Sequence, residues 1–148
     1  MIVLIGAILL ALDMLTKYLS YAYLQNAPLI FTRFLKVRYS LNKGFAFSSL
    51  ENLGSNNQSL FIALVSLVII IFLFHSFYRF KKKHDVTPEG LILIGAIGNL
   101  WSRLFFNGVI DFIEISFFGI NSSIFNLADI YIVLGLIFIM IRINNEPA

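Results

Sequence analysis

Asp111 and Asp129 stand in or beside segments that otherwise read as membrane-buried, and Asn99, Arg103 and Asn126 accompany them within Gly98–Asp129. An ionisable group at the centre of a membrane helix costs about 2.5–3.5 kcal/mol even on a lenient scale. Five polar residues in such a stretch therefore need a joint explanation. Asn99, Ser102 and Arg103, at i, i+3 and i+4, share one helix face, and Asn126 and Asp129, at i and i+3, share another. If the two helices are neighbours, Asp111, in the run Gly108-Val109-Ile110-Asp111-Phe112-Ile113, faces Asp129 near one membrane surface. Repulsion and partial desolvation raise one pKa of such a pair, so that it holds a shared proton. The ionised member then activates water while the protonated member polarises a carbonyl, which is hydrolytic chemistry with no cofactor and no metal. Spacing alone leaves another arrangement open, in which Asp111 caps a turn and Asp129 pairs with Arg103.

The elements that must position these groups belong to a membrane protein. Of 148 residues, 59% are apolar and only 13% charged, and mean hydropathy is +0.86. A soluble domain of this size cannot hide so much apolar surface. The absence of cysteine excludes a disulfide, a thiol nucleophile and a thiolate metal site. Net charge is +3, and no basic face with interleaved stacking aromatics marks a nucleic-acid partner. There is no Gly-x-Ser-x-Gly elbow, no His-Glu-x-x-His pair and no phosphate-binding glycine loop.

Hydrophobic length predicts a single membrane-embedded domain over 1–148 with four spans, at about 2–24, 60–78, 88–106 and 124–143. The first span carries Asp13 and Lys17 at i, i+4, with the acid on the favoured N-terminal side. It lacks a basic leader and a small-x-small cleavage site, so it reads as a retained helix. The pair is either a self-neutralising element inside a bundle or a functional one. From about 25 to 58 the helical period disappears, and Phe31–Phe47 mixes aromatic, β-branched and basic residues as surface strands do. Asn42 there offers both an amide donor and a carbonyl acceptor, and Gly44 allows a tight turn. Glu51–Asn57 reads as a polar connector.

The second span ends in Arg79-Phe80-Lys81-Lys82-Lys83-His84, the kind of basic cluster kept on the cytoplasmic side. Arg33, Lys36, Arg38 and Lys43 put comparable charge in the first loop, more widely spread. Thr87 as cap and Pro88 at the first helical position open the third span, where Gly90, Gly95 and Gly98 permit close helix approach. The segment 107–123 contains a short strand around Asp111–Ser116, then Phe117 and Phe118 suited to a membrane interface. Four spans put both termini on one side, the cytoplasm if the lysine cluster is inside, with Asp111 and Asp129 toward the opposite face.

Five stretches in this order, Asp13-x-x-x-Lys17, Asn42-x-Gly44-x-Ala46-Phe47-Ser48, Gly98-Asn99-x-x-x-Arg103, Gly108-x-Ile110-Asp111-Phe112 and Phe125-Asn126-x-Ala128-Asp129, resemble the motifs of bacterial lipoprotein signal peptidase, or signal peptidase II. The resemblance spans nearly the whole chain and is most specific in the last two motifs. It implies an all-α protein of the bacterial inner membrane, with four transmembrane helices, a small extracytoplasmic β-cradle and a short periplasmic helix. It also implies an aspartyl endopeptidase that cuts a prolipoprotein just before a cysteine bearing diacylglycerol. Its partners would be that substrate, membrane lipid and globomycin-type inhibitors, with the enzyme a monomer.

Residue by residue, Asp111 and Asp129 resemble the catalytic pair. Asn42, Gly44, Asn99, Arg103 and Asn126 match positions around substrate and dyad, and Asp13 and Lys17 match a supporting first-helix pair. One departure stands out. Where the family usually has Gly-Asn-x-x-Asp-Arg, this chain has Ser102, which cannot carry the charge, so that a partner expected there for Arg103 is missing. Lys43 and Phe45, on either side of Gly44, are milder departures.

Two non-enzymatic readings compete: a small transporter subunit using Asp13, Lys17 and Arg103 as a charge path, and a relative that binds lipopeptides without cutting them. A transporter needs polar groups through the whole bilayer depth, whereas the second span has almost none and the acids gather toward one end.

Overall fold

The computed structural model describes residues 2–43, 56–116 and 123–145. Gly44, the Ala46–Ser48 part of its motif, Phe117 and Phe118 lie outside these residues, and no short periplasmic helix occurs among them. Four long helices, α1 (Ile2–Tyr23), α2 (Asn56–Lys81), α3 (Thr87–Phe106) and α4 (Leu127–Asn145), are each apolar and long enough to cross a bilayer. Their outward faces are greasy: Leu64, Val68, Ile71, Phe74 and Phe77 of α2 are all exposed. That exterior is stable only in lipid.

Helix α2 exceeds the expected span at both ends, and at its C-terminal end Arg79 and Lys81 in the last turn interact favourably with the helix dipole. It stops where Lys83 turns left-handed (φ 61°), with Lys83 N donating to Phe80 O and His84 N to Arg79 O, a Schellman closure. Thr87 does not cap α3 as expected. Asp85 does the local work, accepting from Thr87 N (2.9 Å) and Thr87 Oγ1 (2.6 Å), and these bonds hold its carboxyl below the usual carboxylate range. The fourth helix begins later than its hydrophobic run, because Ser123–Phe125 forms a strand first.

Helices α3 and α4 form the closest pair, packed antiparallel. A Cβ at Gly95 would overlap Ala128 O, and one at Gly135 would lie 2.6 Å from Pro88 O. Gly98 leaves room for the Asp13 carboxylate of α1. Gly90 has nothing near it, so its expected packing role is not observed. Contacts of Gly6 with Ile94 and of Lys17 with Asn99 make α1 parallel to α3. The segments after α1 and after α3 consequently emerge at the same end of the bundle. At the other end Glu89, 1% exposed, joins three helices through Arg79 of α2 (3.1 Å) and Arg142 of α4 (2.8 Å).

The emerging segments make one antiparallel sheet in the order β1 (Leu29–Ile30), β2 (Leu35–Asn42), β3 (Val109–Ile115), β4 (Ser123–Phe125). Tyr21 at the end of α1 meets Tyr39 of β2 and Phe106 at the end of α3, fixing sheet to bundle. The β2–β3 register has a consequence for the site. Val37 pairs with Ile113 and Ser40 with Asp111, so β2 spends three steps where β3 spends two. The extra residue, at Arg38–Tyr39, is a β-bulge, and it reverses which face the rest of β2 presents. Lys36 and Arg38 go to Glu114, while Asn42 arrives on the face of Asp111.

Candidate active site

Asp111 comes from the middle of β3 and is 4% exposed. Its Oδ2 accepts from Asn42 Nδ2 at 3.0 Å and its Oδ1 from Asn126 Nδ2 at 2.7 Å. Burial pushes the Asp111 carboxyl above its ordinary pKa and the Asp129 charge adds to this, while the two amide donors and Lys17 pull the other way.

Asp129 stands in the first turn of α4. Asn126 is the residue before that helix, and the two bond reciprocally: Asp129 N donates to Asn126 Oδ1 (3.0 Å) and Asn126 N to Asp129 Oδ2 (3.2 Å). This is the logic of a capping box, with Asp in place of the longer Glu. The sequence expectation that Asn126 and Asp129 share a helix face is therefore corrected, since Asn126 is the cap. From the cap the Asn126 side chain donates to the Asp111 carboxylate while its backbone N–H donates to the Asp129 carboxylate, so that one residue serves both acids.

A second chain of bonds fixes the other oxygen of Asp129. Asn99 Nδ2 donates to Asp129 Oδ1 at 2.8 Å, and Asn99 Oδ1 accepts from Lys17 Nζ at 2.9 Å. An ammonium only donates, so it dictates which end of the Asn99 amide points at it, and the NH2 end must face the carboxylate. Lys17 also bonds Asp13 (2.7 Å), and both residues are 0% exposed. Asp13 Oδ1 then accepts from Ala128 N (2.9 Å), one of the N–H groups that the start of α4 leaves without a helical partner. The Asp13–Lys17 pair thus holds the first turn of α4, on which Asp129 is mounted. Ala128 escapes a sequence reading, because its contribution is a backbone N–H and its small side chain a packing surface.

Arg103 donates to Asn99 O at 3.2 Å, and its charge couples to those of Asp129 and Asp111. Ser102 has a different duty from the charged partner expected at its position. Wholly buried, its hydroxyl accepts from Ile110 N and donates to Gly108 O, both at 3.0 Å. After the left-handed turn at Asn107 (φ 57°) it pins the start of β3 at Ile110, the residue before Asp111. Ser102→Ala leaves the Ile110 N–H buried and unpaired, which costs about 1–3 kcal/mol. Thermal unfolding in detergent should show that loss, and an unchanged midpoint would deny the hydroxyl this role.

The structure thus brings Asn42, Asn99, Asn126, Asp13, Lys17 and Arg103 into one network with Asp111 and Asp129. Gly44 lies outside the described residues. Among those residues no three His, Cys, Asp or Glu side chains converge as a metal-ligand set.

The family model for signal peptidase (SPase) II matches residues 5–144. The lipoprotein signal peptidase of Borrelia duttonii is 34% identical, over 91% of this chain and 84% of its own. That of Borrelia hermsii is also 34% identical, over 87% and 81%. A bacterial membrane enzyme solved by the in meso method superposes with a TM-score of 0.79 at 25% identity, covering 99% of this chain and 94% of the other. The match runs through α1, the sheet and the first turn of α4 alike, and by it the chain belongs to the signal peptidase II family.

Proposed function

We propose that this chain removes the signal peptide from diacylglyceryl-modified prolipoproteins, cutting just before the lipidated cysteine, with Asp111 and Asp129 as the catalytic pair of one membrane-embedded domain. The observation that carries this reading is Asn126, a single residue that bonds both carboxylates from the cap of α4. It holds two acids from different elements in one partly buried site, the arrangement in which a pair shares a proton. The ionised carboxylate draws a proton from water as the oxygen attacks the scissile carbonyl. The protonated carboxyl supports the carbonyl oxygen, and the resulting tetrahedral intermediate collapses as the leaving nitrogen takes a proton from the pair. Asn42, Asn99 and Asn126 keep the carboxylates oriented, and Arg103 supplies positive charge beside them.

The apolar exterior suits a substrate whose acyl tails remain in lipid while its backbone reaches the sheet. The dense cluster Arg79–Lys83 lies at the bundle end opposite the aspartates and favours a cytoplasmic location for that end, with both termini there and the site on the extracytoplasmic face of a bacterial inner membrane. One copy of the chain suffices for this chemistry, because every group invoked comes from it. The test is the purified protein on a lipidated precursor with and without globomycin. Cleavage blocked by globomycin is expected. Binding of the precursor with no cleavage would instead identify a non-catalytic relative.

A further inference from the structure

A lysine at a membrane surface ordinarily extends its ammonium outward to water. Two at the end of α2 do the reverse. Lys81 Nζ lies 4.9 Å from the centroid of the Phe77 ring, and Lys82 Nζ 4.6 Å from that of Tyr78. Each pair is i, i+4, so both ammoniums are folded back about one turn toward the hydrocarbon. Their neighbours in the basic cluster are otherwise engaged: Arg79 pairs with Glu89, and Lys83 forms the left-handed turn. Among the described residues neither Lys81 nor Lys82 forms an ion pair. The carbonyls of Tyr78, Arg79 and Phe80 already accept from backbone N–H groups, so the helix end does not occupy the two charges.

The surface between the lysines is apolar and open. Lys81 and Lys82 diverge by about 100° around the helix, and Phe74 and Tyr78 fill the sector between them. Phe74, Ile71 and Leu67 carry that sector down α2, each of them more than half exposed. We propose that Lys81 and Lys82 hold the phosphate of an anionic glycerophospholipid whose acyl chain lies along Phe74, Ile71 and Leu67. Lysine suits phosphate as a point charge, and basic clusters flanking a membrane span attract anionic headgroups. A zwitterionic headgroup brings its own cation to a place that already holds two. A free phosphate ion would leave the apolar track unused. The site lies at the bundle end opposite the aspartates and does not depend on the peptidase reading.

The test titrates the purified protein, in one detergent, with phosphatidylglycerol or phosphatidylcholine and counts bound lipid by native mass spectrometry. The wild type should retain one phosphatidylglycerol and bind phosphatidylcholine at least about fivefold more weakly. Lys81→Gln and Lys82→Gln should each weaken phosphatidylglycerol binding about fivefold, the value of one cation at an anionic surface. Lys83→Gln removes the same charge from the turn beyond the rings and should leave binding unchanged. Equal loss in Lys83→Gln would reduce the effect to general surface charge, and equal retention of the two lipids would remove the headgroup from it. Displacement of the lipid by inorganic phosphate, beyond that by chloride at equal ionic strength, would leave an anion site with no lipid. Each of these three results overturns the proposal.

Discussion

Asp111→Asn and Asp129→Asn are each expected to slow processing of a lipidated precursor by about 10²–10⁴-fold, the range for losing a positioned acid or base. An amide in place of the Asp111 carboxyl preserves volume but cannot take up or release the proton. It also turns an NH2 toward Asn42 or Asn126, both of which already donate there. In place of Asp129 the same change offers an amide to Asn99 Nδ2, a donor. The double variant should be little slower than either single one, because groups acting as a unit are strongly non-additive. Thermal unfolding of the variants in detergent separates lost chemistry from lost fold, and near-wild-type cleavage by both would remove the dyad from the mechanism.

The pH profile of kcat/KM adds an independent readout. A pair sharing one proton gives a bell with two macroscopic pKa values. Burial raises the Asp111 carboxyl, so the alkaline limb falls above the ordinary carboxylate range as the shared proton leaves. The stability linkage has the same sign. The folded state holds this proton more tightly than the unfolded chain does, so the group's contribution is fully present below the unfolded pKa and is lost as pH rises through the raised one.

Lys17→Met should be the most damaging substitution away from the aspartates, at about 3–5 kcal/mol, because it leaves the Asp13 carboxylate buried without its ion partner. It also removes the ammonium that orients Asn99, so activity should fall further than stability alone accounts for. Asp13→Asn combined with Lys17→Met restores neutrality, and the introduced amide oxygen can still accept from Ala128 N, so the double variant should recover much of the stability. Asn99 would remain unoriented in it, and its activity would stay low. Equal thermal midpoints for Lys17→Met and the wild type would contradict the role assigned to this pair.

Much of the framework is legible in one dimension because its causes are local. Twenty apolar residues span a bilayer wherever they occur, and the loss of helical period after Gln25 and after Asn107 locates the strands. Asp13 and Lys17 announce their pairing through helix geometry alone. The misplaced edges have local causes too: Asp85 rather than Thr87 opens α3, and Ser123–Phe125 joins the sheet instead of the fourth helix. Asn126-x-x-Asp129 has the spacing of a cap, yet inside an apolar run it looks like a polar helix face.

By itself the sequence determined the membrane class, the four spans, and the acids and amides available for chemistry, since composition and short-range spacing express those directly. Only the tertiary structure decided which of them meet. The bulge in β2 that turns Asn42 toward Asp111, the orientation of Asn99 between Lys17 and Asp129, and the use of Ser102 as a backbone tie all depend on partners distant in sequence. Register and hydrogen-bond direction are set by what the opposite strand or helix offers, and no local pattern encodes that.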